Sequence, residues 1–563
     1  MSTSSSLQDL QPILKLDFNE RSDKLNPLAD LIPIADELWR YPDRQPLEKR
    51  IAELNNLDPS QVLCTNGGDE AIMILMRILK ERESEKEAGK SNQLILPLPA
   101  FSQYTWGVKS WNLDPIYVQP LDNLAIDFDS ILSLVNKTSK AITVLTRPNN
   151  PTGESITNEK LVMLISASKK NGGWVFLDEA YIEFSDEQSA ADDLIKQFDN
   201  LIVLRTFSKA FGLAGARLGY ILGDEKVINE FKERCAPFNL PSPSIAIGLT
   251  ALEDANQKEM NDYCQVIKRN RDAVKLWFEQ NGIEAFPSQA NFILIKLAKN
   301  QAKAVKSFMA KNNVLIRGFS EGELENCLRI TIPYNLERLL PLLEQCLKPK
   351  LICIDMDGVL IDTSESYDLC VIATVKKLSR LDVSIDSIEK LRKQGGYNND
   401  WVLSKKLLSN LGFELDLETV TSIFQSEYLG DEEIKGLVEN EKMIISKEFV
   451  ESINQSRERV FTVVTGRPRK EALSGQKMIN LSKLDLISLD DVKQGKPSPE
   501  GIQKLQKQYS TLSWMCGDNP DDMQASVASN SLAIGIGTNK VDALYDAGAD
   551  VVLDSINELK AWL

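Results

Sequence analysis

The chain alternates between short, unbroken apolar runs and longer segments in which apolar residues recur every three or four positions. Residues 94–96, 142–145, 174–177 and 201–204 are four such runs, each followed by a polar turn and then by helix-length sequence. A strand buried on both faces has no polar side to alternate with, so these runs predict a parallel sheet covered by helices. Lys348-Pro349-Lys350 breaks the last helical segment of this series, and a second series begins at 351–354, continues at 461–464 and reaches 514–516. About residues 365–456, between the first two runs of the second series, the pattern is helical and predicts a cap.

Ligands of such sheets sit beyond the carboxyl ends of the strands, so the turns after the runs converge. The turn after 201–204 holds Thr206, Ser208, Lys209 and Arg217 among glycines. A lysine amine can form an imine with an aldehyde, and two hydroxyls with a guanidinium can hold a phosphate. A phosphorylated carbonyl matches both, and pyridoxal phosphate is one. In the same crevice Asp178 can keep a pyridine nitrogen protonated, Asn150 and Tyr181 can hydrogen-bond a ring hydroxyl, and Tyr104 can stack on the ring. Gly67-Gly68-Asp69-Glu70 opens a helix whose free N–H groups suit an anion, although a simple N-capped helix explains the motif equally well.

The second series carries Asp355 and Asp357 after its first run, Thr465 after its second, Lys496 in a loop, and Asp518 and Asp522 after 514–516. Four carboxylates, a hydroxyl and a lysine describe a divalent-metal phosphoryl-transfer site, and oxygen-only ligation suits magnesium. The run Gln394 to Asp400 reads either as a substrate contact or as an interhelical loop.

Composition narrows this picture. The 563 residues are 43% hydrophobic and 26% charged, with a net charge of -16, which fits a multidomain soluble chain and disfavours nucleic acid or an anionic membrane as partner. There is no histidine, which excludes Ser-His-Asp hydrolysis and histidine-ligated zinc. Eight cysteines lack metal-ligand spacing and read as reduced core residues of a cytoplasmic protein. Residues 1–12 read as a disordered lead-in, and no apolar run reaches membrane-spanning length.

Arg40-Tyr41-Pro42-Asp43, Gly67-Gly68-Asp69-Glu70, Pro148-Asn149-Asn150-Pro151-Thr152-Gly153, Asp178-Glu179-Ala180-Tyr181, the Lys209 stretch and Leu328-Arg329-Ile330-Thr331 together resemble histidinol-phosphate aminotransferase, a fold-type I pyridoxal-phosphate family. The resemblance covers 13–347 and implies a large, mostly parallel sheet with a small C-terminal α/β subdomain. It implies that Lys209 is the imine lysine, that Asp178, Asn150, Tyr181 and Tyr104 hold the ring, and that Gly68, Asp69, Thr206, Ser208 and Arg217 hold the cofactor phosphate. It further implies a homodimer in which Tyr41 reaches the neighbouring subunit's cofactor, and a glutamate carboxylate clamped by Arg329, with Arg317 a second candidate. The segment Asn19-Glu20-Arg21-Ser22-Asp23 departs from that family's usual start, so aromatic aminotransferases and threonine-phosphate decarboxylase stay open as readings of the substrate.

Residues 350–563 resemble the haloacid-dehalogenase phosphatases, which implies a Rossmann-like domain under the cap. There Asp355 is the implied nucleophile, Asp357 the acid/base, and Thr465 and Lys496 the phosphoryl-stabilising groups. Asp355, Asp518, Asp522 and the Asp357 carbonyl would hold Mg2+. The two halves together imply transamination of imidazole-acetol phosphate with glutamate, followed by hydrolysis of a phosphomonoester, with histidinol phosphate the simplest. A phosphatase of unrelated phosphates, or a phosphate-sensing domain, is the alternative for the second half.

Overall fold

The computed structural model describes residues 13–21, 38–84, 93–392, 394, 397, 399–430 and 435–563. The expected lead-in, the Pro-bearing stretch after Arg21 and Gly395, Gly396 and Asn398 of the Gln394–Asp400 run lie outside the described residues. The chain divides into two compact units, Met1–Lys296 with Asn313–Glu337 and Leu297–Asn312 with Arg338–Leu563.

The strands of the first unit are β1 (Leu14–Leu16), β2 (Val62–Asn66), β3 (Leu94–Pro97), β4 (Ile116–Val118), β5 (Ile142–Thr146), β6 (Trp174–Asp178), β7 (Leu201–Thr206), β8 (Leu218–Leu222), β9 (Glu284–Ala285), β10 (Phe292–Lys296), β11 (Val314–Gly318) and β12 (Cys327–Thr331). Seven of them form a sheet in the order β2-β8-β7-β6-β5-β3-β4. Only β8 runs against its neighbours; the pairs from β4 to β7 are parallel. The carboxyl ends of β5, β6 and β7 therefore share one edge.

The reason for the unbroken apolar runs is visible in the packing. Val175, Leu177, Leu201 and Val203 enter one core cluster, while Phe176, Ile202 and Leu204 enter the cluster on the other face. Alternation moves each side chain between two cores rather than between core and water. A smaller sheet, β1-β11-β12-β10-β9, joins the chain's first described strand to its later ones. The helix Gly67–Ser84 runs on into charged sequence that by composition alone suits a solvated loop. Instead Glu81 still belongs to that helix, where Arg77 and Arg234 pair with it.

In the second unit the strands are β13 (Leu351–Ile354), β14 (Ile361–Asp362), β15 (Lys442–Met443), β16 (Val460–Val464), β17 (Asp485–Ile487), β18 (Ser513–Gly517), β19 (Leu532–Ile536) and β20 (Val551–Leu553). The sheet order is β17-β16-β13-β18-β19-β20, parallel throughout. Helices Tyr367–Ser379, Ile385–Arg392, Asp400–Asn410 and Leu417–Leu429 pack around their own apolar cluster. The chain leaves the sheet for these helices through β14 and returns through β15, its antiparallel partner.

Two helices that precede residue 350, Gln301–Lys311 and Leu339–Leu347, group with this second unit. Lys311 pairs with the fully buried Asp550 at 2.6 Å, and the Trp514 indole donates to the Gln345 carbonyl at 2.8 Å. Among the described residues no helix is long and apolar enough to cross a membrane.

Candidate active sites

A cavity of about 470 Å³ opens at the carboxyl edge of the large sheet, lined by Gly68, Asp69, Asn150, Asp178, Tyr181, Thr206, Ser208, Lys209 and Arg217. Asp178, the last residue of β6, accepts the Tyr104 hydroxyl at 2.8 Å and the Ala180 N–H at 3.0 Å. Burial pushes its carboxyl up to about 6, because no described cation pairs with it to favour the charged form. A cation supplied from the cavity would complete the site. Lys209 Nζ donates to the Phe18 carbonyl at 2.9 Å and lies 5.6 Å from the Tyr181 ring centre.

The same cavity carries groups suited to an anion. Arg217 Nη2 lies 2.8 Å from Asp69 Oδ2, and the Thr206 and Ser208 hydroxyls are 2.9 Å apart. Gly67, at φ +69°, lies directly under the guanidinium, and a Cβ there would fall 2.6 Å from Arg217 Nη2. The left-handed backbone favours glycine there, and a side chain would also push the guanidinium aside. With the free N–H groups of the helix that starts at Gly67, these groups fit a phosphate. The whole set of amine, unpaired carboxylate and anion cradle fits pyridoxal phosphate.

The expected ring-stacking role of Tyr104 is corrected by the structure. Its side chain is fully buried in the core and its hydroxyl is committed to Asp178, whereas Phe101 lines the cavity. The helix Ser102–Ser110 begins just after Phe101, so one turn carries Tyr104 inward and leaves Phe101 at the strand end. Tyr41 is 80% exposed, stacks on Phe238 at 4.5 Å and is absent from the lining of its own chain's cavity. Buried Arg329 reaches Asn150 Oδ1 and the Asp17 carbonyl, while Arg317 is exposed opposite it across β11 and β12.

In the second unit, one carboxylate oxygen from each of Asp355, Asp518 and Asp522 lies within 4.8 Å of the others. Lys496 Nζ bridges Asp355 at 2.8 Å and Asp522 at 2.5 Å. Burial holds the Asp355 and Asp518 carboxyls above the usual range. At Gly358, φ +70°, a Cβ would meet Asp518 Oδ2 at 2.4 Å, so the turn after Asp357 must be bare for the carboxylates to close together. This oxygen-only donor set fits Mg2+. Thr465 is buried at the end of β16. The Asp357 side chain stands apart from the three, accepting from Arg467 Nε at 2.8 Å. A cavity of about 310 Å³ adjoins Asp357 and Asp518.

The family model for aminotransferase class I and II matches residues 30–344. The chain belongs to the class I and II aminotransferase family. A second model, haloacid dehalogenase-like hydrolase, matches residues 349–530. The histidinol-phosphate aminotransferase of Thermoanaerobacter pseudethanolicus is 33% identical over 295 residues, 52% of this chain and 79% of that protein. That of Methanosarcina mazei is 30% identical over 330 residues, 57% and 84% respectively. Among solved structures, a putative histidinol-phosphate aminotransferase from Erwinia carotovora atroseptica aligns with TM-score 0.51 and 24% identity, covering 58% of this chain and 93% of that one. L-threonine-O-3-phosphate decarboxylase from Porphyromonas gingivalis aligns with TM-score 0.50 and 22% identity, covering 60% and 98%. At these identities the structural likeness establishes the fold alone, which is shared by both reactions. Pyridoxal phosphate is the cofactor of the aminotransferase family, and Mg2+ is typical of the hydrolases.

Three features of the two domains escaped the sequence reading. In the aminotransferase unit, buried Asn19 donates to the Tyr181 hydroxyl at 3.1 Å and binds Thr331, tying the first described strand to the cavity. Phe101 is the second. The third is Arg467 of the hydrolase domain, buried and shared between Asp357 and Glu441, whose own carboxylate also accepts from Tyr428. The arginine directly after Thr465-Gly466 was a visible signal, but its partner 26 positions earlier was not.

Two outcomes follow. Because the folded Asp178 carboxyl titrates near 6 rather than at 3.8, its contribution to stability is full below about pH 4 and is lost as pH rises through about 6, a change of about 3 kcal/mol. In cofactor-free chain, thermal melts from about pH 4 to about pH 7 should show wild type losing stability relative to Asp178→Asn; a constant gap contradicts the assignment. Arg467→Met leaves buried Glu441 without its cation and should cost about 3–5 kcal/mol, seen as a lower Tm of the hydrolase transition.

Proposed function

We propose that the chain is bifunctional, an aminotransferase that makes histidinol phosphate from imidazole-acetol phosphate and glutamate, and a phosphatase that hydrolyses a phosphomonoester, histidinol phosphate being the one its neighbour provides. The observation that carries the first activity is the single cavity holding the Lys209 amine, the Asp178 carboxylate and the Arg217 cradle. Bound pyridoxal phosphate supplies an electron sink for the substrate's α-carbon. Asp178 keeps the ring nitrogen protonated, Asn150 and Tyr181 orient the ring hydroxyl, and Lys209 Nζ carries the proton that leaves and returns at the substrate carbon. Arg329, bonded to Asn150 of the cavity lining, is the carboxylate-binding cation, with exposed Arg317 beside it. The relatives named for histidinol phosphate support the substrate. Exposed Tyr41 and Phe238, stacked together on the surface, support a homodimer in which Tyr41 serves the other subunit.

In the second unit Asp355 attacks phosphorus, forming an aspartyl phosphate as the ester's alkoxide leaves. Asp357 protonates the alkoxide and then takes a proton from the water that hydrolyses the intermediate. Lys496 and Thr465 face the transferring group, and Arg467 positions Asp357. Asp355, Asp518 and Asp522, with the Asp357 carbonyl, would hold Mg2+, which offsets phosphoryl charge. The absence of histidine from the chain is no obstacle to either reaction, since every proton-moving group named is a carboxylate or a lysine.

Each activity has its own test. Lys209→Ala should abolish transamination and the cofactor's visible absorbance while leaving phosphate release intact. Asp355→Asn should cut phosphate release by at least about 10³-fold and spare transamination; unchanged hydrolysis in that variant contradicts the mechanism.

A further inference from the structure

The Tyr181 hydroxyl, in the wall of the large cavity, accepts two side-chain amides, Asn19 Nδ2 at 3.1 Å and Asn150 Nδ2 at 3.3 Å. An amide can present its oxygen or its nitrogen, so what each offers the tyrosine is decided by its other contacts. Asn150 Oδ1 faces Arg329 Nη1, a group that only donates, which leaves Nδ2 for Tyr181. Thr331 does the same for Asn19. Its hydroxyl oxygen accepts the Asn19 backbone N–H at 3.1 Å, and its proton goes to Asn19 Oδ1 at 2.9 Å. The nitrogen end of the Asn19 amide is therefore the one that meets Tyr181.

A hydroxyl has one proton and two lone pairs. With amide donors on both lone pairs, the Tyr181 proton is left for a third partner, and among the described residues no acceptor holds it. Buried Phe292 packs edge-on against the tyrosine ring at 5.2 Å and fixes it in place. We propose that Asn19 is a positioning residue for the cofactor: by donating to Tyr181 it makes the tyrosine donate in turn to the oxygen of the cofactor's ring hydroxyl, the contact given to Tyr181 in the reading above, on which this role rests.

Asn19 suits the task in a way that Asn150 does not. Asn150 is oriented by Arg329, the cation proposed to take the substrate carboxylate, so its anchor is shared with substrate. Asn19 is oriented by fully buried Thr331, and its own carbonyl accepts from buried Asn291 at 3.1 Å. Its backbone is left-handed, φ +55°, a conformation asparagine adopts more readily than most side chains. The direction of the Tyr181 proton is thereby independent of what Arg329 holds.

The test follows the visible absorbance of bound pyridoxal phosphate against pH in the full chain with excess cofactor, and the thermal melt of the cofactor-free chain reports folding. A donor on the ring oxygen favours the form in which that oxygen is most negative, so its loss moves the absorbance midpoint to higher pH. Tyr181→Phe should give the full shift, about 1 pH unit for one hydrogen bond to a charged group. Asn19→Gly, which keeps the left-handed backbone and removes only the side chain, should shift the midpoint the same way by about half a unit or more, and should add nothing in the Tyr181→Phe background. Thr331→Val, close to isosteric, frees the Asn19 amide to turn and should also raise the midpoint. A wild-type midpoint in Asn19→Gly, or the same further shift in the Tyr181→Phe background, overturns the positioning role and leaves the Tyr181 reading standing. Should Asn19→Gly not retain cofactor, a wild-type midpoint in Thr331→Val overturns the role. A wild-type midpoint in Tyr181→Phe overturns the ring-oxygen reading and the role of Asn19 with it.

Discussion

The structure turns on buried carboxylates placed at the carboxyl edges of parallel sheets. Asp178 ends β6 with neutral hydrogen-bond donors around it and no described cation. Asp355, Asp518 and Asp522 crowd together, Lys496 shared by Asp355 and Asp522 and Lys540 paired with Asp518. Leaving ionised oxygens in such places costs several kcal/mol unless charge of the other sign arrives. A protonated pyridine in one unit and a divalent ion in the other would supply it. Without histidine anywhere in the chain, carboxylates are the groups the proposed mechanisms use as cofactor anchor, nucleophile, acid/base and metal ligand.

The local geometry around the two sites explains two glycines and one arginine. Gly67 and Gly358 both sit where the backbone turns left-handed and where any Cβ would strike the charged group opposite. Arg467 is a different device: it fixes the Asp357 carboxylate from behind while its other face holds Glu441, immediately before β15. Asp357 is thus tied to the strand pair through which the chain enters and leaves the helices between 367 and 429.

What the sequence reveals is what local patterning encodes. The strands were legible because burial on both faces leaves unbroken apolar runs, and Asp178, Lys209, Asp355 and Asp518 were legible because each follows such a run within a few residues. Choosing between Phe101 and Tyr104 required knowing where a helix starts, since a shift of one turn sends a ring from cavity to core. Asn19 was hidden because its partners Tyr181 and Thr331 lie 162 and 312 residues away. The helices Gln301–Lys311 and Leu339–Leu347 show an amphipathic pattern that does not say which sheet they cover, and their buried contacts to Asp550 and Trp514 decide it.

One measurement bears most directly on the claim that two complete sites act in sequence on one molecule. Full-length chain with pyridoxal phosphate and Mg2+ is given imidazole-acetol phosphate, with and without glutamate, and followed by phosphorus NMR. With glutamate, the signal of the amine product should appear and then give way to inorganic phosphate; without glutamate, no amine product should form. An amine signal that never appears with glutamate, or that never yields inorganic phosphate, contradicts the account.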